Sequence, residues 1–327
     1  MQKYNSVTGG TIIAGALRTG AQGLRTTQNN QNGPSITLDA QGTWIVGKAI
    51  RVSALPVGDR LYCVATVDAG TVQGCFAINT DGTISVYRGG PLAGALVATS
   101  ALALLPNVWY YVEFRHVIDN AAGTLEVRVD GAVWVTFAGD TQQTANATAN
   151  AILLQTVTNG AGIFVTADHD DLYILDGTGA APNNTYWGNT QIEALVPNGA
   201  GNYTEWTTLF GAATHWQAEN EVPPDEDTSY VESATLNQRD LYTFGNLSVV
   251  SATINGIQIL MRARTTLAGA DNIARMIRHT ATDNQGADVA LQTSYNYIRE
   301  ILATDPIAAA AWSVANINAM EAGARVR

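Results

Sequence analysis

The sequence predicts an all-β protein: two tandem antiparallel β-sandwiches, over residues 1–178 and 190–327, with one short helix near the C-terminus. Three observations lead there. Between residues 109 and 118 apolar and polar side chains nearly alternate, with Val112, Phe114, His116 and Ile118 on one face and Tyr111, Glu113 and Arg115 on the other. Leu125, Val127 and Val129 repeat the pattern, Asp130-Gly131 supplies a tight hairpin turn, and Val133, Val135 and Phe137 alternate on the way back. Comparable short runs recur through the chain at roughly 8–12 residue spacing with turn dipeptides between them, the mark of a sandwich or barrel rather than of βαβ units. Three strands with one apolar face are marginal alone, so that face must close on a second sheet.

The other elements follow in order. The first 30 residues are rich in Gly, Thr and Gln, with an apolar patch at Ile12, Ile13 and Ala14; strands are expected at 10–16 and 23–27. Further strands are expected at 35–38, 43–52, 60–67, 74–79 and 83–87, with Asp81-Gly82 as a second hairpin signal of the same turn type. Residues 151–156 and 171–175 complete the first sandwich. Gly, Pro and Asn then crowd residues 176–184 and no periodicity crosses them, so 179–189 reads as a linker. Beyond it strands are expected at 191–196, 204–209, 229–233, 240–244, 251–264, 272–280 and 292–302, with a stiff acidic loop at 219–227. Near the end, Ser313 is placed to cap a helix over 314–320, and Gly323 to stop it.

Composition narrows the function classes. With 46% hydrophobic and 14% charged residues the chain is globular, and a formal charge of −11 argues against nucleic-acid binding, which needs a basic field. Lys3 and Lys48 are the only lysines. The N-terminus lacks the apolar region of a signal peptide, and no run reaches the roughly 20 apolar residues of a membrane span. A soluble protein made in the cytosol is expected, with no membrane partner. In that compartment Cys63 and Cys75 are expected to be reduced core residues rather than a disulfide.

The run Trp109-Tyr-Tyr-Val-Glu-Phe114, then Gly123-Thr124, a short strand and Val129-Asp-Gly131, resembles the core hairpin of the concanavalin A-like (laminin G-like) β-sandwiches. Together with Asp140-Thr141, Asp170-Asp-Leu-Tyr173 and the closing stretch 310–326, it is similar to a group of tailed-bacteriophage virion proteins. In these a Trp, a short helix and a glycine precede a final strand, positions filled here by Trp312, residues 314–320 and Gly323. The resemblance implies a jelly-roll first domain, a place on the virion after synthesis in the host cytoplasm, and other virion proteins as partners.

Glycosidases of the concanavalin fold carry alternating acids on one strand, and no E-x-D-x-E triplet occurs here. Glu113 and Glu126, each two residues from an arginine, read as solvated cross-strand pairs. Laminin G-like domains often bind calcium at a sandwich rim, which implies Asp168, Asp170 and Asp176 as candidate ligands; the alternative is turn acids, since alternation points Asp170 and Asp171 to opposite faces. The four histidines match no nucleophile motif, and His116 reads as an interior residue. Trp187, Tyr203, Trp206 and Trp216 are candidates for a glycan platform or an interface. Trp312 and Met320 are candidates for locking the second domain or an intersubunit contact.

The expected function is therefore a non-enzymatic structural component of a phage particle, a homo-oligomer acting through protein contacts, without cofactor unless calcium. The alternative is a carbohydrate-binding adsorption module recognising host surface glycans. A glycoside hydrolase ranks third, to be revived by a pocket holding two facing carboxylates.

Overall fold

The computed structural model describes residues 10–20, 22–27, 34–90, 94–154, 165–266, 269 and 271–327. The chain is all-β, as expected, and divides into two compact units, Lys3–Glu193 and Ala194–Arg327. Among the described residues no helix is long and apolar enough to cross a membrane.

The first unit contains β1 (Gly10–Ile13), β2 (Gly23–Thr27), β3 (Ser35–Gln41), β4 (Thr43–Val52), β5 (Leu61–Asp68), β6 (Thr71–Ile78), β7 (Thr83–Arg88), β8 (Ala95–Ala103), β9 (Tyr110–Val117), β10 (Gly123–Val129), β11 (Ala132–Gly139), β12 (Ala149–Leu153) and β13 (Thr166–Asp176). They form a seven-stranded sheet, β1-β2-β13-β4-β9-β10-β11, and a six-stranded sheet, β3-β12-β5-β6-β7-β8, each antiparallel throughout. The alternating residues read from the sequence meet between the sheets: Trp44, Val46, Phe76, Val86, Val112, Phe114, Leu125 and Val127 share one buried cluster. Asp130 and Gly131 both take positive φ, the geometry a type I′ turn requires. At the second hairpin only Gly82 does, and the turn is closed by Asn79 N–H donating to Thr83 O at 2.8 Å, so it is not a two-residue I′ turn. The last two residues of the strand expected at 151–156 lie outside the described residues.

Polar side chains also reach the core. Lys48 shares the inward parity of Val46 and Ile50; its Nζ donates to Cys63 O at 2.8 Å and lies 3.2 Å from His169 Nδ1, whose Nε2 is 2.9 Å from Thr26 Oγ1. His116 is interior, as expected, between Thr66 Oγ1 at 2.8 Å and Thr141 O at 3.2 Å, and burial lowers its pKa to about 4. Cys63 and Cys75 are both free thiols; they belong to different buried clusters, Cys63 between the sheets and Cys75 with Tyr62, Ala65 and Tyr87. β5 and β6 turn them to opposite sides, so they do not face one another for a disulfide.

The second unit contains β14 (Pro197–Thr204), β15 (Thr208–Phe210), β16 (Tyr230–Glu232), β17 (Arg239–Phe244), β18 (Ile257–Ala263), β19 (Asn272–His279), β20 (Thr282–Ala290), β21 (Asn296–Leu302), α1 (Val314–Asn318) and β22 (Glu321–Val326). A five-stranded sheet, β14-β17-β22-β19-β20, accompanies the two-stranded ribbons β15-β16 and β18-β21. Ser313 caps α1, its Oγ accepting from Asn316 N–H at 3.1 Å. Gly323 does not stop the helix: it lies within β22, where a Cβ would come 2.0 Å from Asp240 O, so the glycine lets two backbones approach. The strand expected at 191–196 does not form. Ile192 gives its N–H to the Asp171 carboxylate at 2.8 Å instead of to a ladder.

Candidate functional site

The outer face of the seven-stranded sheet carries Tyr111, Glu113, Arg115, Glu126, Arg128 and Tyr173. It is not a solvated face. Residues 182–192, part of which was read as linker, fold over it within the first unit. The Trp187 ring lies 4.8 Å from the Tyr173 ring, and Arg128 sits 4.0 Å under the Tyr186 ring. Glu113, 1% exposed, accepts Gly188 N–H at 2.8 Å and the Tyr173 hydroxyl. Glu113 is thus a buried acceptor, contrary to its expected solvated pairing, and Glu126 pairs with Arg128 at 2.6 Å along its own strand rather than across strands. The face is occupied by the chain itself.

The acidic residues near one end of β13 tie down an N-terminal segment. Asp168 takes Arg25 at 2.6 Å and Arg51 at 2.7 Å. Asp170 accepts the N–H groups of Arg18 and Thr19 at 2.8 and 3.0 Å, and Asp171 accepts Arg18 Nη1 at 3.1 Å and Thr19 Oγ1 at 2.8 Å. Strict alternation would have separated Asp170 from Asp171. A register shift and a left-handed φ at Asp171 bring both carboxylates to the same turn. Asp176 stands at the far end of the strand, opposite Trp44, and accepts Thr178 N–H and Oγ1. Asp168, Asp170 and Asp176 therefore do not converge, and two guanidiniums on Asp168 make a poor cation site. Among the described residues no group of three His, Cys, Asp or Glu is placed to hold a metal.

The four candidate aromatics are divided between the two units. Trp187 packs in the first unit. Tyr203, in the second, lies 3.5 Å from the Arg239 guanidinium and donates to Asp283, and Trp206 Nε1 donates to Gln238 O. Trp216 lies in a short 3-10 turn, His215–Ala218. Trp312 is 4% exposed, donates Nε1–H to Leu302 O at 3.0 Å, and packs with Ile277 and Ile317, with Met320 against them. It locks the second unit's own core.

An open pocket of about 430 Å³ lies on the six-stranded sheet, lined by Gly58, Asp59, Arg60, residues 79–81, Thr83, Ser85, Leu96 and Thr99. Five of its polar side chains, Asn79, Asp81, Thr83, Ser85 and Thr99, are fixed by one another. Asn79 Nδ2 donates to Thr83 Oγ1 and to Ser85 Oγ, both at 2.8 Å, and Ser85 Oγ is 2.8 Å from Thr99 Oγ1. Thr83 Oγ1 donates to Asp81 Oδ1 at 2.6 Å, and this bond, with the Thr83 N–H, holds the Asp81 carboxyl below the usual carboxylate range. Gly82 makes the turn at a φ of +84°, where a Cβ would come 2.4 Å from Leu104 O. The Arg60 guanidinium lies 5.3 Å over the Tyr87 ring. Leu96, 54% exposed, adds an apolar edge. The result is a rigid row of amide, hydroxyl and carboxylate groups with the buried Ser85 hydroxyl at its base, suited to a ligand dense in hydroxyls. Sequence reasoning took Asp81-Gly82 only as a turn; the signal it passed over is Thr83 and Ser85 alternating with buried Ile84 and Val86.

No family model matches the chain, and no curated protein does. Among solved structures, an endo-β-1,4-glucuronan lyase from the fungus Trichoderma reesei matches at 12% identity and a TM-score of 0.41, over 53% of this chain and 91% of that one. The carbohydrate-binding module CBM66 from Bacillus subtilis matches at 9% identity and 0.32, over 52% and 96%. A heptameric SAP-like pentraxin from Limulus polyphemus matches at 16% identity and 0.32, over 45% and 72%. With TM-scores below 0.5, these likenesses carry no weight for function.

Proposed function

We propose that the first unit is a carbohydrate-binding module that holds a glycan in the pocket on the six-stranded sheet without turning it over. One observation carries this reading: the Asn79, Asp81, Thr83 and Thr99 side chains are pre-ordered at an open surface by hydrogen bonds to one another and to the buried Ser85 hydroxyl. Pre-ordered polar groups lose little entropy on binding hydroxyls, which favours recognition of sugars. The lining charges are Asp59, Asp81 and Arg60, and the whole chain carries −11, so a neutral glycan fits better than an acidic one. Asp59 and Asp81 supply two carboxylates, the feature a glycoside hydrolase requires. Asp81, however, is held ionised by Thr83 and is unsuited to act as a general acid. The motif resemblance to tailed-phage virion proteins supports placing the module on a particle, where it would serve adsorption to host glycans beside other virion proteins.

The test is titration calorimetry against neutral oligosaccharides, with reducing-end release followed in the same samples. Wild-type protein should bind, and Asn79→Ala should weaken binding about tenfold by freeing the Thr83 and Ser85 hydroxyls. Binding unchanged by that substitution would remove the pocket from the reading, and release of reducing ends would replace binding by hydrolysis.

A further inference from the structure

We propose that two copies of this chain associate through the outer edge of β8, around a two-fold axis at Thr99. β8 ends its sheet, pairing with β7 and with no other strand among the described residues. Natural edge strands are commonly guarded by lysine, proline or inward-pointing charges. Here residues 89–112 contain no charged side chain at all, and Leu96, Leu102 and Leu105 are 54%, 55% and 61% exposed. The adjoining edge of the other sheet, β11, is also uncharged and exposes Val133.

The strand's own sequence selects the occupant. Ala-Leu-Val-Ala-Thr-Ser-Ala-Leu-Ala, residues 95–103, reads nearly the same in both directions about Thr99, with Leu96 and Leu102 equally distant from it. A two-fold axis sets each residue of an antiparallel contact opposite the one equally far on the other side. Leu96 then meets Leu102 of the second copy, twice, and Ala95 meets Ala103. Small uncharged residues fill the positions between, so no charges meet along the strand itself. β8 has nine residues where β7 has six, and the excess lies in bulges. Bulges increase twist, which confines any shared ladder to the neighbourhood of Thr99 and makes the two leucine pairs the main contact. Because Leu96 and Thr99 also border the polar pocket, the association would set two pockets beside the axis, whatever they bind.

Sedimentation equilibrium at micromolar concentration tests the arrangement without any ligand. The wild-type chain of 34.6 kDa should sediment as a dimer. Leu102→Lys should raise the dissociation constant by about tenfold or more, since it buries a cation against leucine at two places. The double variant Leu96→Glu with Leu102→Lys should recover dimerisation, because each pair then joins opposite charges. A monomeric wild type, a dimer indifferent to Leu102→Lys, or a double variant no better than the single one would overturn the proposal.

Discussion

Replacing Lys48 by methionine probes the electrostatic cost of a charged amine buried in the core of the first sandwich. Burial lowers the Lys48 pKa from 10.5 to about 8, with the neighbouring Cys63 acting weakly in the opposite sense. The shift corresponds to about 3 kcal/mol at 1.36 kcal/mol per unit. The folded pKa lies below the unfolded one, so between about pH 8 and 10.5 the unfolded chain keeps a proton that the folded chain has released. Stability from this group therefore rises with pH across that window, and below it the full penalty applies. The Cys63 thiol, pushed up by burial from 9.0 to about 11, has the opposite sign: its contribution is lost as pH rises past 9. Comparing the two proteins, rather than following wild type alone, removes most of that background. Near neutral pH, methionine relieves the buried cation but removes the donor to Cys63 O, which costs about 1–3 kcal/mol, so the variant should be near wild type or more stable. Urea unfolding of that unit, followed by Trp44 fluorescence, should then show wild type gaining about 3 kcal/mol on the variant by pH 10.5. A difference that stays constant within about 1 kcal/mol over that range would refute the assignment of a desolvated amine.

Two further outcomes concern packing. Gly47→Ala would drive a Cβ to 2.2 Å from the Tyr173 ring; we expect a loss of about 1–3 kcal/mol in the first unit, measured by the same unfolding assay, and disturbance of the Trp187 environment in fluorescence. Trp312→Ala should cost the second unit about 3–5 kcal/mol, visible as a lowered melting transition by calorimetry, while the pocket's glycan binding stays as in wild type.

What the sequence made legible was whatever obeyed alternation. β4 was read at its observed limits, and β9 and β10 to within two residues, because large apolar residues recur at every second position. β8 went unread: its Ala, Leu, Ser and Thr have no two-residue rhythm, and bulges disrupt what rhythm there is. β20 was hidden by its turn, where Thr280 and Ala281 both adopt positive φ without the Asn or Gly that usually announces such a hairpin. Of the site, Asp81 and Gly82 were visible as a turn. The pocket was not, because its partners Arg60 and Thr99 are joined to the turn by strand order rather than by sequence distance. Glu113 was misjudged for a related reason: its parity pointed outward, but alternation says nothing about a later segment returning to cover that face.

That covering segment bears on where the first module ends. Cut after Asp176, the chain would retain all thirteen strands of its sandwich, yet Tyr173, Leu175 and Ile45 would lose Tyr186 and Trp187 as neighbours. The Glu113 carboxylate would lose its amide donor at Gly188. The autonomous piece is therefore set by side-chain cover and not by the last rung of a sheet. Any rearrangement that moves this domain between proteins must carry the residues through Glu193 with it. The same requirement makes the module lopsided: the middle of one sheet's outer face is covered by its own tail, while the β11 edge of that sheet and the outer face of the other stay open.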